Sequence, residues 1–337
     1  MNFSFKRQKV MEKVLVALLP ALLGAIYFFG WRTLLVVAWA GLWGLASEHL
    51  MASRRGDPAT ESVLVTAVLF ALSLPPAIPL WVVAVGMVFA IVFGKEVFGG
   101  FGRNVFNPAI VGRAFVYISF PVELTGSFVP AWPGPAGGLG KWGPPSVIEG
   151  VEAITAATPM WFRRNFQFAE GFTYWQQLRQ LFFGSVGGVF EGGDGVERVL
   201  AAGSMGEVSA LLLIVGGLYL LISRTANWRL VAGSLGGATA AVVCFRHLLG
   251  ADAVPPLLWS LSSGGLLYAC FFMVTDPVSA PRKKPNQWIY AGFIGTMIIL
   301  FRWQSIFIGG VGFAILLGNG LAPTLDLLNP GRKNRKK

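Results

Sequence analysis

Long runs of apolar residues set the first limit on what this chain can fold into. Each run is roughly 15–20 residues long, which at about 1.5 Å per helical residue crosses a hydrocarbon core of about 30 Å. Only 13% of the 337 residues are charged, so the chain is not a soluble globular domain. We predict an all-α integral membrane protein of about ten transmembrane helices, at 14–30, 33–50, 62–78, 80–94, 107–121, 208–223, 230–249, 257–274, 288–302 and 305–322.

Basic residues are shared unequally between the two sets of loops. Of the 27 lysines and arginines, 18 fall on the side of the two termini and 8 on the other side. Because cytoplasmic loops carry the excess of Lys and Arg, we predict a multi-pass protein of the bacterial inner (cell) membrane, with both termini cytoplasmic and residues 122–206 periplasmic or extracellular. On this topology Glu48 and Lys95 lie at the cytoplasmic surface, and Arg302 lies in an outer loop. The net charge of +11 then reflects topology and not nucleic-acid binding.

The long outer loop divides the chain into two halves of five segments each. We assign residues 1–121 to a first membrane repeat, 122–206 to an extracytoplasmic loop, 207–324 to a second membrane repeat and 325–337 to a basic cytoplasmic tail. An odd number of crossings per half makes the halves inverted copies. Folds of this kind place a binding site near the midplane between the repeats.

Prolines interrupt the apolar runs at corresponding places in the two halves. Residues 70–76 (FALSLPP) are similar in place and character to residues 272–277 (FMVTDP). Broken or tilted helices of this kind occur where the backbone lines a cavity and not lipid. Asp276, in the second stretch, is predicted to cap the structure that follows it or to pair with a cation, and a place in a cation path is the alternative.

Few residues are available to hold a redox metal. The only cysteines, Cys244 and Cys270, fall inside apolar runs, and there are only two histidines. An iron–sulfur cluster or a bis-histidine haem held by this chain alone is therefore not expected. The chain also has no nicotinamide-binding fingerprint.

The outer loop contains the stretch VEAITAATP at residues 151–159. Thr158 follows two alanines and precedes a proline, so no bulky side chain shields its hydroxyl. We predict that Thr158 is an attachment point for a phosphate-bearing cofactor. The alternative is a loop threonine that caps a short helix.

A second polar stretch, residues 94–115, opens the fifth segment. Its glycines, among them Gly99 and Gly100, permit tight turns and the close approach of a flat ligand. Asn107 followed by proline predicts a helix start, with Asn107 as the N-cap. The charge of Arg113 lies inside the segment, so it should face a carboxylate, a phosphate or a wet cavity. The alternative is an ordinary glycine turn with Arg113 reaching to the interface.

Two motifs closely resemble a known family. FGGFGRNVFNPA at residues 98–109 with GRAF at 112–115, and FMVTDPVSA at 272–280, are similar to the B-type subunit of the sodium-translocating NADH:quinone reductase and the D-type subunit of the Rnf complex. The resemblance covers most of the chain. It implies an integral-membrane flavoprotein that belongs to a redox complex and couples electron transfer to the movement of Na⁺ or H⁺.

The resemblance also implies particular cofactors and partners. In that family a threonine of an Asp-x-x-Ser/Thr-Gly-Ala-Thr element is esterified to the phosphate of FMN by a flavin transferase. Thr155 and Ala157 match that element and Thr158 is the acceptor, whereas Glu152 and Ala156 depart from it. A second flavin, riboflavin, is implied as well. The expected partners are the other membrane and peripheral subunits, the flavin transferase and the lipid bilayer, and contact with quinone is left open.

Two other functions fit the same residues. Inverted five-helix repeats also build flavin-free channels and transporters, and the departures at Glu152 and Ala156 fit a scaffold protein of such a complex that holds no competent cofactor. The motifs do not separate the two complexes from a stand-alone relative.

Overall fold

The computed structural model of the protein describes residues 5–145, 159–160, 173–187, 189–191, 197–305 and 310–328, and these residues are mostly helical. In chain order the helices are α1 (Lys9–Phe29), α2 (Arg32–Arg55), α3 (Ser62–Leu72), α4 (Leu80–Gly94), α5 (Pro108–Ser119), α6 (Pro121–Thr125), α7 (Tyr174–Phe183), α8 (Ala210–Ile222), α9 (Trp228–Val242), α10 (Leu257–Ser262), α11 (Leu266–Tyr268), α12 (Lys284–Gln304) and α13 (Val311–Leu328). Wider helical turns extend α9 to Leu248 and α11 to Met273, and a short 3₁₀ turn, Glu96–Phe98, follows α4.

Four short strands accompany the helices in the described part of the chain. Strand β1 (Phe5–Lys6) pairs in parallel with β2 (Ala59–Thr60), so the start of the chain lies against the α2–α3 connection. Strand β3 (Val189–Glu191) pairs antiparallel with β4 (Glu197–Val199). The stretch predicted as a loop at 122–206 therefore contains the end of α6, helix α7 and a small hairpin.

Each of the ten predicted apolar segments overlaps with helix in the described part of the chain. Five helical stretches among the described residues are long and apolar enough to span a membrane, namely Lys9–Phe29, Arg32–Arg55, Leu80–Phe98, Trp228–Leu248 and Val311–Leu328. Three shorter helices, α3, α5 and α8, are also apolar. A helix satisfies its backbone hydrogen bonds internally, which is the condition for crossing hydrocarbon.

The helices of the two halves pack in matching pairs. In the first half α2 packs on α4, α4 on α5, and α1 on α3; in the second half α9 packs on α12 and α12 on α13. The α1–α3 contact of the first half has its counterpart in the second half, where α8 packs on α11 and on the wider helical turns that extend α11. Two further contacts, α1 with α8 and α5 with α13, join equivalent helices of the two halves. This pattern supports the prediction of an internal repeat.

Glycines allow α9 and α12 to approach closely. A Cβ atom on Gly237 would lie 2.3 Å from the carbonyl oxygen of Gly292, and one on Gly295 would lie 2.0 Å from that of Ser234. Small residues at helix contacts permit such approach in membranes, where van der Waals packing replaces the hydrophobic drive between helices.

Both halves interrupt their third segment. Helix α3 ends at Leu72 and Pro75 and Pro76 follow, so the predicted proline interruption is confirmed. The segment predicted at 257–274 is also interrupted, at a pair of glycines. Gly264 and Gly265 adopt φ of +61° and +71°, a conformation that side-chain-bearing residues rarely take, and they separate α10 from α11.

Candidate cofactor-binding cleft

A cleft opens between the two halves, on the side of β1 and β2. Helices α1 and α3, the 95–108 stretch and the end of α8 line it, and so do residues 272–278 of the second half. It contains about 700 Å³ of empty space when its open mouth is included. Met11, Leu69 and Phe272 provide apolar wall, and Asn107, Lys95 and Asp276 provide polar groups.

Asn107 lines this cleft at the start of α5. Its side chain accepts a hydrogen bond from the Ala109 N–H at 3.0 Å, which caps α5 as predicted. Its own backbone N–H donates to Asn319 Oδ1 of α13 at 3.0 Å, and Asn319 Nδ2 donates to the Tyr290 hydroxyl at 2.7 Å. All these groups are buried, so the network fixes α5 against α12 and α13.

A buried ion pair lies beside the cleft. Lys95 Nζ forms an ion pair with Glu48 Oε2 at 2.8 Å, and it donates hydrogen bonds to Thr60 Oγ1 at 2.9 Å and Ser62 Oγ at 2.8 Å. Glu48 Oε1 accepts from the Thr60 N–H at 2.8 Å and from the Thr60 hydroxyl at 2.7 Å.

Both side chains are almost fully enclosed, at 1% exposure for Glu48 and 2% for Lys95. The prediction of a solvated helix end for Glu48 was wrong, because its side chain is buried. A charge at this depth persists because it is paired.

Gly99 and Gly100 do not line the cleft. They have φ of +102° and +91° and turn the chain after the 3₁₀ helix, where a Cβ atom on Gly100 would lie 3.0 Å from Arg55 Nη2. Arg55 pairs there with Glu96. The two glycines thus permit this turn to close over an ion pair, and their contact with a flat ligand stays a prediction.

Asp276 faces the cleft from the second half. Its Oδ1 accepts from the Val278 N–H at 3.0 Å, and its Oδ2 accepts from the Ser279 hydroxyl at 3.0 Å, so it caps the turn as expected. Desolvation in the cleft wall raises the pKa of the Asp276 carboxyl, and the bonds from Val278 and Ser279 act in the opposite direction.

Arg113 lies away from the cleft, near the break between α10 and α11. Its Nη1 and Nη2 lie 3.3 and 3.4 Å from Ser204 Oγ. Ser204 N–H donates in turn to Glu207 Oε1 at 2.8 Å. Arg113 is half-buried, and the partner that the structure gives it is a hydroxyl, not a carboxylate.

Arg302 was assigned to an outer loop, and that prediction was wrong. It lies in the last turn of α12, is 4% exposed, and reaches into the break between α10 and α11. Its Nη1 donates to the Ser260 carbonyl at 2.7 Å, and its Nη2 donates to the carbonyls of Ser263 at 2.8 Å and Gly264 at 2.9 Å. The guanidinium therefore satisfies carbonyls that the end of α10 leaves without helical partners.

The predicted attachment element, with Thr155, Ala157 and Thr158, lies outside the described residues. The two residues that follow it are described. Met160 is buried at 5% exposure, and its Sδ accepts a hydrogen bond from the Ser263 hydroxyl at 3.1 Å. A Cβ atom on Gly264 would lie 2.8 Å from Met160 Cγ. The chain directly after Thr158 is thus packed on the break that Arg302 fills.

Among the described residues no cluster of histidine, cysteine or carboxylate side chains could hold a metal ion. The apolar helices long enough to span a membrane define a multi-pass membrane protein, and a cleft with polar groups lies between its two halves. The family model described as the NQR2, RnfD, RnfE family matches residues 3–333, and the chain belongs to this family. The resemblance drawn from the two motifs is confirmed.

Similar proteins include the B-type subunit of the Na(+)-translocating NADH-quinone reductase from several bacteria. The protein from Azotobacter vinelandii is 37% identical over 309 residues, which cover 90% of this chain and 67% of the relative. That from Pseudomonas aeruginosa is 36% identical over 310 residues, with the same shares. That from Klebsiella pneumoniae is 34% identical over 315 residues, covering 91% of this chain and 67% of the relative.

Proposed function

We propose that this chain is the membrane flavoprotein of an oxidoreductase complex of the Na⁺-translocating NADH-quinone reductase type, which transfers electrons in a process coupled to cation transport. The observation that carries the proposal is the family match over residues 3–333, together with relatives that are named as the B-type subunit of that complex. The chain acts with the other subunits of the complex, which supply NADH oxidation, and is not catalytic alone.

The proposed topology has ten crossings in two inverted halves, with both termini in the cytoplasm and residues 122–206 outside. The separation of the connections into two groups supports it. On one side β1 pairs with β2, and Asp326 Oδ2 accepts from the Arg282 N–H at 3.1 Å. On the other side the Trp31 N–H donates to the Lys141 carbonyl at 3.2 Å, and the Ala77 N–H donates to that of Ser127 at 3.2 Å. These contacts divide the connections into the same two groups as the distribution of basic residues does.

The proposed attachment of FMN is a phosphoester on Thr158, made by a flavin transferase that recognises an element including Thr155 and Ala157. A flavin accepts two electrons and releases them one at a time, which suits a carrier between unlike partners. Met160 lies two residues after Thr158, and its contacts with Ser263 and Gly264 support an attachment point close in sequence to the α10–α11 break. A tethered group would be held at a high effective concentration.

The cleft beside Asn107 is the proposed place of a second, non-covalent flavin. A flat heteroaromatic ring needs apolar walls on its faces and polar groups at its edge, and the cleft offers both. Phe101 and Phe272 would contact the ring faces, and Asn107 and Asp276 would contact the edge. Lys95 is already bound to Glu48, Thr60 and Ser62. A role for Arg113, Gly99 and Gly100 in flavin binding stays a prediction, since none of the three lines this cleft.

The decisive experiment tests the covalent bond. The full chain is produced with its flavin transferase, denatured, separated on a gel and viewed under ultraviolet light. We expect a fluorescent band and a mass increase of one FMN less one water. Thr158→Ala should abolish both. Thr125→Ala is the matched control, because the Thr125 hydroxyl bonds within its own turn, to the Pro121 carbonyl at 2.7 Å.

A dark band from the unmodified chain, beside a transferase that labels a known substrate, would favour a flavin-free channel or transporter. The inter-repeat cleft is the observation that keeps this alternative, because inverted-repeat transporters bind their solutes there. Electron transfer at full rate in Thr158→Val would instead favour a non-redox scaffold protein.

A further inference from the structure

The buried arginine Arg302 and the buried lysine Lys95 occupy equivalent positions in the two halves. Lys95 directly follows α4, the fourth segment of the first half, and bonds to Thr60 and Ser62 at the start of the third segment. Arg302 lies in the last turn of α12, the fourth segment of the second half, and bonds to the third segment around Ser263. In inverted halves the two cations lie at opposite faces of the membrane.

The two buried cations differ in the groups that stabilise their charge. Lys95 has a carboxylate partner in Glu48. Among the described residues no carboxylate forms an ion pair with Arg302, and its Nε is buried without an acceptor. Its hydrogen-bond acceptors are carbonyl oxygens, and the Glu207 carboxylate at the same break acts on its charge only through space.

The break that holds Arg302 has the ligands of a cation site. The carbonyls of Ser260, Ser263 and Gly264 converge within 2.9 Å of the guanidinium nitrogens. The carboxylate of Glu207 lies against the same break, because a Cβ atom on Gly265 would lie 2.3 Å from its Oε2. Carbonyl and carboxylate oxygens are the ligands of hard cations, and carbonyls at the ends of broken helices bind Na⁺ in transporters.

We propose that Arg302 is a fixed cation barrier: its guanidinium fills the oxygen ligands of the α10–α11 break and so keeps Na⁺ from entering the second half at this face. The barrier acts through charge as well as through space, since a second cation beside a buried guanidinium is repelled in a medium of low dielectric constant. This role does not depend on a bound flavin, and failure of the flavin experiment leaves it unchanged.

The test measures passive release of radioactive Na⁺ from liposomes that contain the full chain. Arg302→Gln keeps two hydrogen-bond donors near the carbonyls but removes the charge, and we expect it to release Na⁺ several-fold faster than the unmodified protein. Arg302→Lys keeps the charge and should stay tight. The matched control is Arg246→Gln, in the same half, because Arg246 Nη1 also donates to a backbone carbonyl, that of Val254 at 2.6 Å.

Three outcomes would overturn the barrier. One is Na⁺ release by Arg302→Gln at the rate of the unmodified protein. Another is equal release by Arg302→Gln and Arg302→Lys, since charge would then not matter. The third is release of an entrapped anionic dye together with Na⁺, which reports general disorder. If Arg302→Gln does not fold, Glu207→Gln provides a second test. Loss of this negative charge leaves the positive charge of Arg302 in place and should keep the membrane tight to Na⁺, so a leak would contradict a barrier made by positive charge.

Discussion

Removal of one partner of the Glu48–Lys95 pair should destabilise the protein strongly. Lys95→Met leaves the Glu48 carboxylate buried at 1% exposure, with only the two bonds from Thr60. Breaking a buried pair in this way costs about 3–5 kcal/mol. Glu48→Met leaves the Lys95 ammonium with two hydroxyl partners and should cost a similar amount.

The double variant, Glu48→Met with Lys95→Met, should lose much less stability than the sum of the two single losses. It buries no charge and mainly leaves the Thr60 N–H without its acceptor, which costs about 1–3 kcal/mol. The two single effects together should therefore exceed the double effect by at least about 3 kcal/mol.

Reversible unfolding in mixed micelles with increasing dodecyl sulfate, followed by tryptophan fluorescence, gives the free energies of unfolding. Asp57→Asn is the control, since Asp57 pairs with Arg55 at 3.4 Å while its side chain is 59% exposed, and its loss should cost less than about 1 kcal/mol. Additive single effects, or a Lys95→Met variant within about 1 kcal/mol of the unmodified protein, would refute the reasoning about burial.

Two further substitutions test the packing and the cap. Gly237→Ala places a Cβ atom 2.3 Å from the Gly292 carbonyl and should lower the free energy of unfolding by about 1–3 kcal/mol. Gly236→Ala is the control, because nothing lies within 4 Å of its Cβ position, and it should be neutral or stabilising. Thermal unfolding in detergent measures both variants, and equal midpoints would contradict the close approach of the two helices. Asn107→Ala should cost about 1 kcal/mol of stability through loss of the helix cap. Asn319→Leu should cost more, because it leaves two buried groups without partners. The same unfolding assay ranks the two variants, and a larger loss in Asn107→Ala would argue against the network.

The sequence predicted the features that depend on neighbouring residues. Asn107 before a proline specifies a helix cap, and Pro75 with Pro76 specifies a break, because both effects act within one turn of chain. The apolar runs located the helices for the same reason.

Features that depend on distant residues were missed. Glu48 and Lys95 each resemble an interfacial charge at the end of an apolar run, and only the packing of α2 on α4 brings them together. Arg302 resembled a loop cation, although Gly264 and Gly265 inside an apolar run were a signal of broken helix that charge counting ignores. The partner of a buried charge is set by tertiary contacts, which periodicity does not describe.

The contacts between the halves have a consequence for how the molecule can be assembled. Residues 132–142 hydrogen-bond to the turn between α1 and α2, and Asn107 with Asn319 and Tyr268 with Leu69 join the two halves. Residues 132–142 thus bind to the first half, and contacts between helices join the first half to the second. Two polypeptides, one for each half and divided within residues 122–206, should for that reason associate in the same bilayer and restore the fold without a continuous chain.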